Sequence, residues 1–261
     1  MSIPVIARKL NGERFVILSW SRAILLQMAH PLVATGVAQH STFRGGAGAA
    51  AQRAHHTIGA MLSLTFGDDA AREATLARIR GIHRTVRGTL PRPAGPFAAG
   101  TPYSAEDPEL LLWVHATLLD SIPDMYQRLV APLAPEELDA FCAESAPTLV
   151  ALGGDAARAP RTWRALCEYT ENVYRSGVLA ITREALDIAD GVLTPRISRV
   201  PFPGGSLHRL ITIGLLPESI RSAYGFAWDA ARARRFDRAL RFLRAARRLS
   251  PAVVARWSQA R

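Results

Sequence analysis

Apolar residues recur at intervals of three and four along almost the whole chain, and alternating apolar and polar runs between turn signals are nearly absent. That pattern predicts an all-α fold. A first helix is expected from about Glu13 to His30. Pro31 should kink or end it, because proline lacks the backbone donor and clashes with the preceding turn. Leu32 to Phe43 continues as a second helical piece, and the glycine-rich RGGAGAA reads as a loop before a helix from Ala49 to Phe66. Asp68 or Asp69 then caps a helix that carries Ile79, Ile82, His83 and Val86 on one side. Leu90 to Thr101, rich in proline and glycine, reads as an ordered loop or a lid. Asp107-Pro108 is a cap followed by a first-turn proline and leads into ELLLWVHATLLDSIPDMYQRL. Pro135-Glu136-Glu137 starts a helix towards Leu152, and after the GGDAARAP break helices follow from about Arg161 to Ser176 and from Gly177 to near Asp190. Beyond TPRISRVPFPGG the pattern gives C-terminal helices over Leu207–Leu215, Pro217–Leu249 with a break, and Pro251–Gln259. No repeat of fixed period and no low-complexity tail is present, so residues 205–261 are expected to pack on the rest, giving one domain over 1–261.

Composition sharpens this picture in three ways. With 261 residues, 49% of them hydrophobic, the chain can bury a sizeable core. Its formal net charge is +10, Lys9 is the only lysine, and from Arg196 onward the only acids are Glu218, Asp229 and Asp237. That balance suits nucleic acid, an anionic membrane or an anionic cofactor, and says nothing about fold. The two cysteines, Cys142 and Cys167, lack the spacing of a zinc site, a redox pair or a covalent haem attachment. The N-terminal apolar run is too short for a secretory signal, and Arg22, Gln27 and His30 interrupt the stretch Phe15–Ala38, so a soluble, reduced, cytoplasmic chain without a transmembrane segment is expected.

Candidate chemistry concentrates between His30 and His83, where five of the seven histidines fall, in the order QMAHPLVATGVAQHSTF, RAHHT and GIHRTVRG. Helical faces that present imidazole and guanidinium to one interior suit an anionic iron porphyrin, because imidazole ligates iron and guanidinium pairs with propionate. Each residue also has an ordinary reading. His83 can be a core histidine bonded to a carbonyl; Arg53, His56 and Thr57 can be a polar helix surface. His30 can satisfy carbonyls freed by Pro31, and His40 can interact with a helix dipole. His115, two residues after Trp113 on a markedly apolar helix, needs a partner if buried.

The ordered series QMAHPLVATGVAQHSTF, RAHHT, FG, IHRTVRG and GTPYSAEDPELLLWVHATL resembles, in a match that spans about Gly12 to Tyr126, the oxygenase family that includes rubber oxygenase (latex clearing protein) and the fungal ER-bound oxygenases. The resemblance implies a globin-like helical core and a non-covalent b-type haem. It implies His83 as proximal iron ligand, with Arg53–Thr57 as the family's R-x-x-x-T motif. Rubber oxygenase has lysine before that threonine, where this chain has His56. Rubber oxygenase also uses a distal glutamate; no carboxylate stands in the matching stretch before Arg53, and His30 or His40 occupies that region. The implied activity is oxidation of an apolar or aromatic small molecule with O2 or peroxide, as dioxygenase, monooxygenase or peroxidase. His56, Thr57, His30, His40 and Arg53 are the expected catalytic group, and His83, Arg53, Arg87 and His115 the expected cofactor-binding group.

Two other classes fit parts of the sequence. A haem carrier or sensor shares His83 but closes the sixth position with a second ligand such as His56 or His30. A basic helical nucleic-acid binder rests on Arg232–Arg248, but the apolar stripe Phe236, Leu240, Leu243 points to a packed helix with a solvated face, and no recognition-helix signature accompanies it. Nucleic acid is therefore not an expected partner, weak contact with an anionic lipid surface is compatible, and the oligomeric state is left open.

Overall fold

The computed structural model describes residues 4–40, 46–194, 196–197, 200–201 and 204–260, with side chains outside 46–55 and 196–201. The fold is all-α, with two short antiparallel ribbons as the described strands. At its centre is α6 (Pro108–Leu129), whose N-terminus is built as the sequence dictates: the Asp107 carboxylate accepts from the Glu109 N–H at 2.9 Å and Pro108 fills the first turn. Leu112, Trp113, Ala116, Met125 and Leu129 on this helix are almost fully buried.

The N-terminal segment departs from the expected single helix. It opens with α1 (Val5–Asn11), continues as a 3-10 turn (Arg14–Ser19) and becomes α helical again in α2 (Trp20–Met28). The cap of α1 comes from far away in sequence: the Glu144 carboxylate accepts from the backbone N–H groups of Val5, Ile6 and Ala7 at 3.0, 3.2 and 2.7 Å. Pro31 acts as predicted, and the axis turns through 107° between Arg14–Met28 and α3 (Pro31–His40). Arg22 locks α2 to α6. Its guanidinium donates to Asp120 Oδ2 at 2.6 Å, Ser121 Oγ at 2.6 Å and the Leu215 carbonyl at 2.8 Å.

Next come α4 (Gly46–Phe66), which begins within the glycine-rich run expected as a loop, and α5 (Asp69–Thr85), capped by Asp68 accepting from Ala71 N at 2.8 Å. Val86, expected to extend that helix, is already extended backbone and leads into β1 (Arg87–Thr89). This strand pairs with β2 (Pro102–Ser104), with Gly88 opposite Tyr103, and so closes the Leu90–Thr101 loop into an ordered unit. A Cβ at Gly88 would lie 2.6 Å from the Tyr103 hydroxyl, so this position has to be glycine for the ring to pack there.

The remaining helices are α7 (Pro135–Ala151), α8 (Trp163–Arg175), α9 (Arg183–Leu193), α10 (Gly205–Leu215), α11 (Glu218–Ala223), α12 (Ala230–Leu249) and α13 (Ala252–Ala255), with the second ribbon, β3 (Arg196–Ile197) and β4 (Val200–Pro201), before α10. Thr162 and Thr182 cap α8 and α9 by accepting from Ala165 and Ala185 N–H groups. The expected break after Pro217 falls at Gly225, where φ is +71°. One core joins Leu25, Leu26, Trp113, Ile188 and Tyr224; a second joins Leu10, Leu119, Ile122 and Phe141.

The arginine-rich α12 packs as an amphipathic element. Phe236 meets Met125, Leu129 and Ile211, while Arg234, Arg238 and Arg241 are exposed. Arg247 clamps the helix to the N-terminal segment, donating to both oxygens of buried Glu13 at 2.6 and 2.8 Å. Among the described residues no single helix is long and apolar enough to cross a membrane. Cys142 and Cys167 are free thiols; burial pushes Cys142 up to about 12 and raises Cys167, so neither is a ready nucleophile.

Candidate functional site

The antiparallel pair α4–α5 positions the residues that the sequence singles out. Near its turn Ser63 Oγ lies 2.8 Å from Thr75 Oγ1 and donates to the Ala71 carbonyl at 3.1 Å, which fixes the register. With a rise of 1.5 Å per residue, Thr57 lies roughly 9 Å along α4 from that clasp and His83 roughly 12 Å along α5. The two therefore stand at the same level of the hairpin, at its open end. His56 and Thr57 are exposed. Arg53 is one turn beyond Thr57, and its side chain lies outside the described residues.

His83 is half-buried on the α5 face that also carries buried Thr75 and Leu76 and half-buried Ile79. Ile82, expected on the same inward face, is instead 53% exposed, because it sits on the flank of the helix rather than on the packed stripe. Burial lowers the His83 pKa, and the Glu106 carboxylate opposes that shift in part, so the ring is neutral at pH 7. Its Nδ1 is sealed from solvent without a hydrogen-bond partner. Nε2 makes no hydrogen bond and is not sealed, which leaves it as the reachable nitrogen. In the tautomer that carries its proton on Nδ1, this neutral imidazole has a lone pair on the reachable nitrogen and is a competent metal ligand. The donor chemistry at His83 is therefore compatible with a haem iron.

His115 lies on α6. Its Nε2 is buried without a partner, and burial drives its pKa down to about 4. It projects about 200° around the helix from Trp113, so the two rings open on opposite sides of α6. Arg87, expected to bind cofactor, is exposed and folds its guanidinium back onto the Arg84 carbonyl; as the first residue of β1 it runs along the ribbon instead of into a pocket.

Two of the expected catalytic histidines stand elsewhere. His40, at the exposed end of α3, places Nε2 3.2 Å from the Tyr103 hydroxyl, which in turn donates to Gln39 Oε1 at 2.6 Å. Tyr103 is 5% exposed and packs beside Gly36 and Gly88, so it ties the end of α3 to the ribbon that follows His83. His30, 6% exposed, lines a cleft of about 560 Å³ to which neither His83 nor His115 contributes. The 107° corner before Pro31 turns it against Phe97, with ring centroids 5.3 Å apart, and towards the Leu110–Trp113 side of α6. Sequence reasoning missed Tyr103, Phe97, Trp113 and Tyr169 as site-forming residues. The only signal for Tyr103 was its place in the GTPYSAEDP series.

The chain is 27% identical over 233 residues to the uncharacterized proteins Mb2261 of Mycobacterium bovis and Rv2237 of Mycobacterium tuberculosis, an alignment that covers 87% of this chain and 87% of each relative. No solved structure matches it. The model of the family described as "ER-bound oxygenase mpaB/B'/Rubber oxygenase, catalytic domain" matches residues 8–245, which include the α4–α5 hairpin, the Tyr103 ribbon and all of α6. The chain belongs to the mpaB/rubber oxygenase catalytic-domain family.

Proposed function

We propose that this oxygenase-family protein is a b-type haem enzyme that oxidises an apolar or aromatic small molecule with O2 or peroxide, and that His83 would hold the haem through its iron. The observation that carries the reading is the state of His83: neutral, partly buried, Nδ1 sealed and Nε2 open, at the level of the hairpin where Arg53, His56 and Thr57 stand. When bound, the haem would supply a redox-active iron able to activate the oxidant. The chain's own contributions are distinct from that. His83 is neutral, so shifting its one proton to Nδ1 frees the Nε2 lone pair with no net loss of a proton. The partly exposed apolar surface of Ile82 beside it suits a macrocycle face, and the guanidinium of Arg53 supplies the charge that a propionate requires. Thr57 brings a hydroxyl and His56 a titratable ring to the same open end, the polar groups needed to hold or move a proton there.

A second reading, a haem carrier or sensor without turnover, is favoured by His115, a second neutral imidazole whose Nε2 is unpartnered. The protein purified after expression with adequate haem supply tests both. One equivalent of protohaem by pyridine haemochrome, with a reduced spectrum that shifts under carbon monoxide, supports the enzyme. A low-spin spectrum indifferent to carbon monoxide supports the carrier, and absence of haem sinks both.

A further inference from the structure

The cleft that holds His30 is a candidate binding site of its own, independent of whether a haem sits at His83. It is formed where the α2–α3 corner, the Leu90–Thr101 loop, the N-terminal half of α6 and the end of α8 meet. Its volume of about 560 Å³ lies within the range of small-molecule sites. Its walls are apolar and largely aromatic, with Phe97, Leu110, Trp113, Tyr169 and Val173. At the mouth Arg158 is paired with Glu109, and Asp107 adds a second carboxylate.

Two buried polar groups in these walls have no partner. Trp113 is 1% exposed, and its Nε1–H donates to nothing and is sealed behind the wall. His30 is 6% exposed, and neither of its ring nitrogens makes a hydrogen bond; Nδ1 is sealed, so Nε2 is the nitrogen left open. Burial pushes the His30 pKa down to about 4, against the opposing charge of Asp107, so the ring carries one proton at neutral pH. That proton is better placed on the open Nε2, because a sealed N–H without an acceptor costs more than a sealed lone pair. The cleft thus offers one reachable N–H donor, on His30, among apolar walls.

We propose that this cleft binds a neutral, flat, apolar molecule carrying a carbonyl oxygen, which the His30 N–H holds while Phe97 and Trp113 supply aromatic walls. A carbonyl satisfies donors without bringing a charge, whereas the two carboxylates against one guanidinium at the mouth disfavour an anion.

Two isosteric probes separate the hydrogen bond from simple apolar contact: 2-acetonaphthone, which has the carbonyl, and 2-ethylnaphthalene, which lacks it. Binding of each to the full chain as purified is measured by equilibrium dialysis, and the tryptophan indole N–H resonances are followed by NMR. The expected result is an affinity for the ketone about tenfold higher than for the hydrocarbon, with a shift of the Trp113 indole resonance identified by Trp113→Phe. His30→Phe, which keeps a ring but removes the donor, should abolish the preference. Asn172→Trp, a substitution of an exposed residue at the mouth that leaves the fold intact, should abolish binding of both probes. Equal affinity for the two probes overturns the proposal. So does ketone binding that survives Asn172→Trp but is lost in His83→Ala, which assigns it to the other site.

Discussion

Replacing Arg22 with methionine should cost about 3 kcal/mol of folding stability. The guanidinium is 7% exposed and makes three hydrogen bonds, to Asp120, Ser121 and the Leu215 carbonyl, which join α2, α6 and α10. Hydrogen bonds to a charged group contribute roughly 1.5–3 kcal/mol each, but not all are lost outright. Asp120 is 25% exposed and regains water, and the Ser121 hydroxyl keeps its bond to the Thr117 carbonyl at 2.6 Å. The Leu215 carbonyl is left unpaired. Breaking one side of a buried pair typically costs about 3–5 kcal/mol, and the partial exposure of Asp120 places this case at the lower end. For a chain of this size the melting temperature should fall by about 6–12 °C. A control lies on α6: Arg128 pairs with Asp124 at 2.8 Å, but at 41% and 29% exposure, so Arg128→Met should cost about 0.5 kcal/mol or less. Arg22→Met combined with Asp120→Leu should recover most of the loss, because no carboxylate then lacks its cation. The assay is urea unfolding followed by ellipticity at constant m-value. Equal cost for Arg22→Met and Arg128→Met would refute the reasoning.

Acid should destabilise the protein well above the carboxylate range. His30 and His115 are held at about 4 by burial, whereas in the unfolded chain they titrate near 6.5. Stability is therefore flat above pH 6.5 and falls as the pH drops from 6.5 towards 4, at up to about 1.4 kcal/mol per pH unit for each ring, because the unfolded state binds protons that the folded state does not. Urea midpoints at pH 7.5, 6.0 and 5.0 check this, and an unchanged midpoint contradicts it. Arg53→Ala should weaken haem affinity or activity by about tenfold to a hundredfold, whereas Arg78→Ala, on the exposed side of α5, should alter neither. Equal behaviour of the two variants argues against a site role for Arg53.

Most helices were legible because their periodicity and caps are local. Asp107-Pro108 announces α6, Asp68 announces α5, and Pro31 marks the corner before α3. What escaped was assembled from distant pieces of chain. The seven residues of α1 are too few to show a pattern, and their cap, Glu144, lies 139 positions beyond Val5. The ribbon has three residues per strand, too short to alternate, and Tyr103 meets Gly88 only after the intervening loop closes. The candidate site divides in the same way. His83 and the Arg53–Thr57 motif are near in sequence and separated by one hairpin turn, so their common level follows from the helix register. The cleft at His30 draws Phe97, Trp113 and Tyr169 from three other parts of the chain, and the turn that carries His30 away from the α4–α5 hairpin is a property of the packed α2–α3 corner.

The central proposal, that His83 would hold a haem through its iron, is tested most directly by the haem content of His83→Ala. Pyridine haemochrome and the Soret band are measured on the purified variant, with ellipticity and a cooperative melt to establish that it is folded. Loss of most of the haem from a folded helical protein is the predicted result, since the one open imidazole of α5 is replaced by a methyl group. Stoichiometric haem with an unchanged Soret band would contradict the account and move the ligand to another histidine, with His115 the first to test.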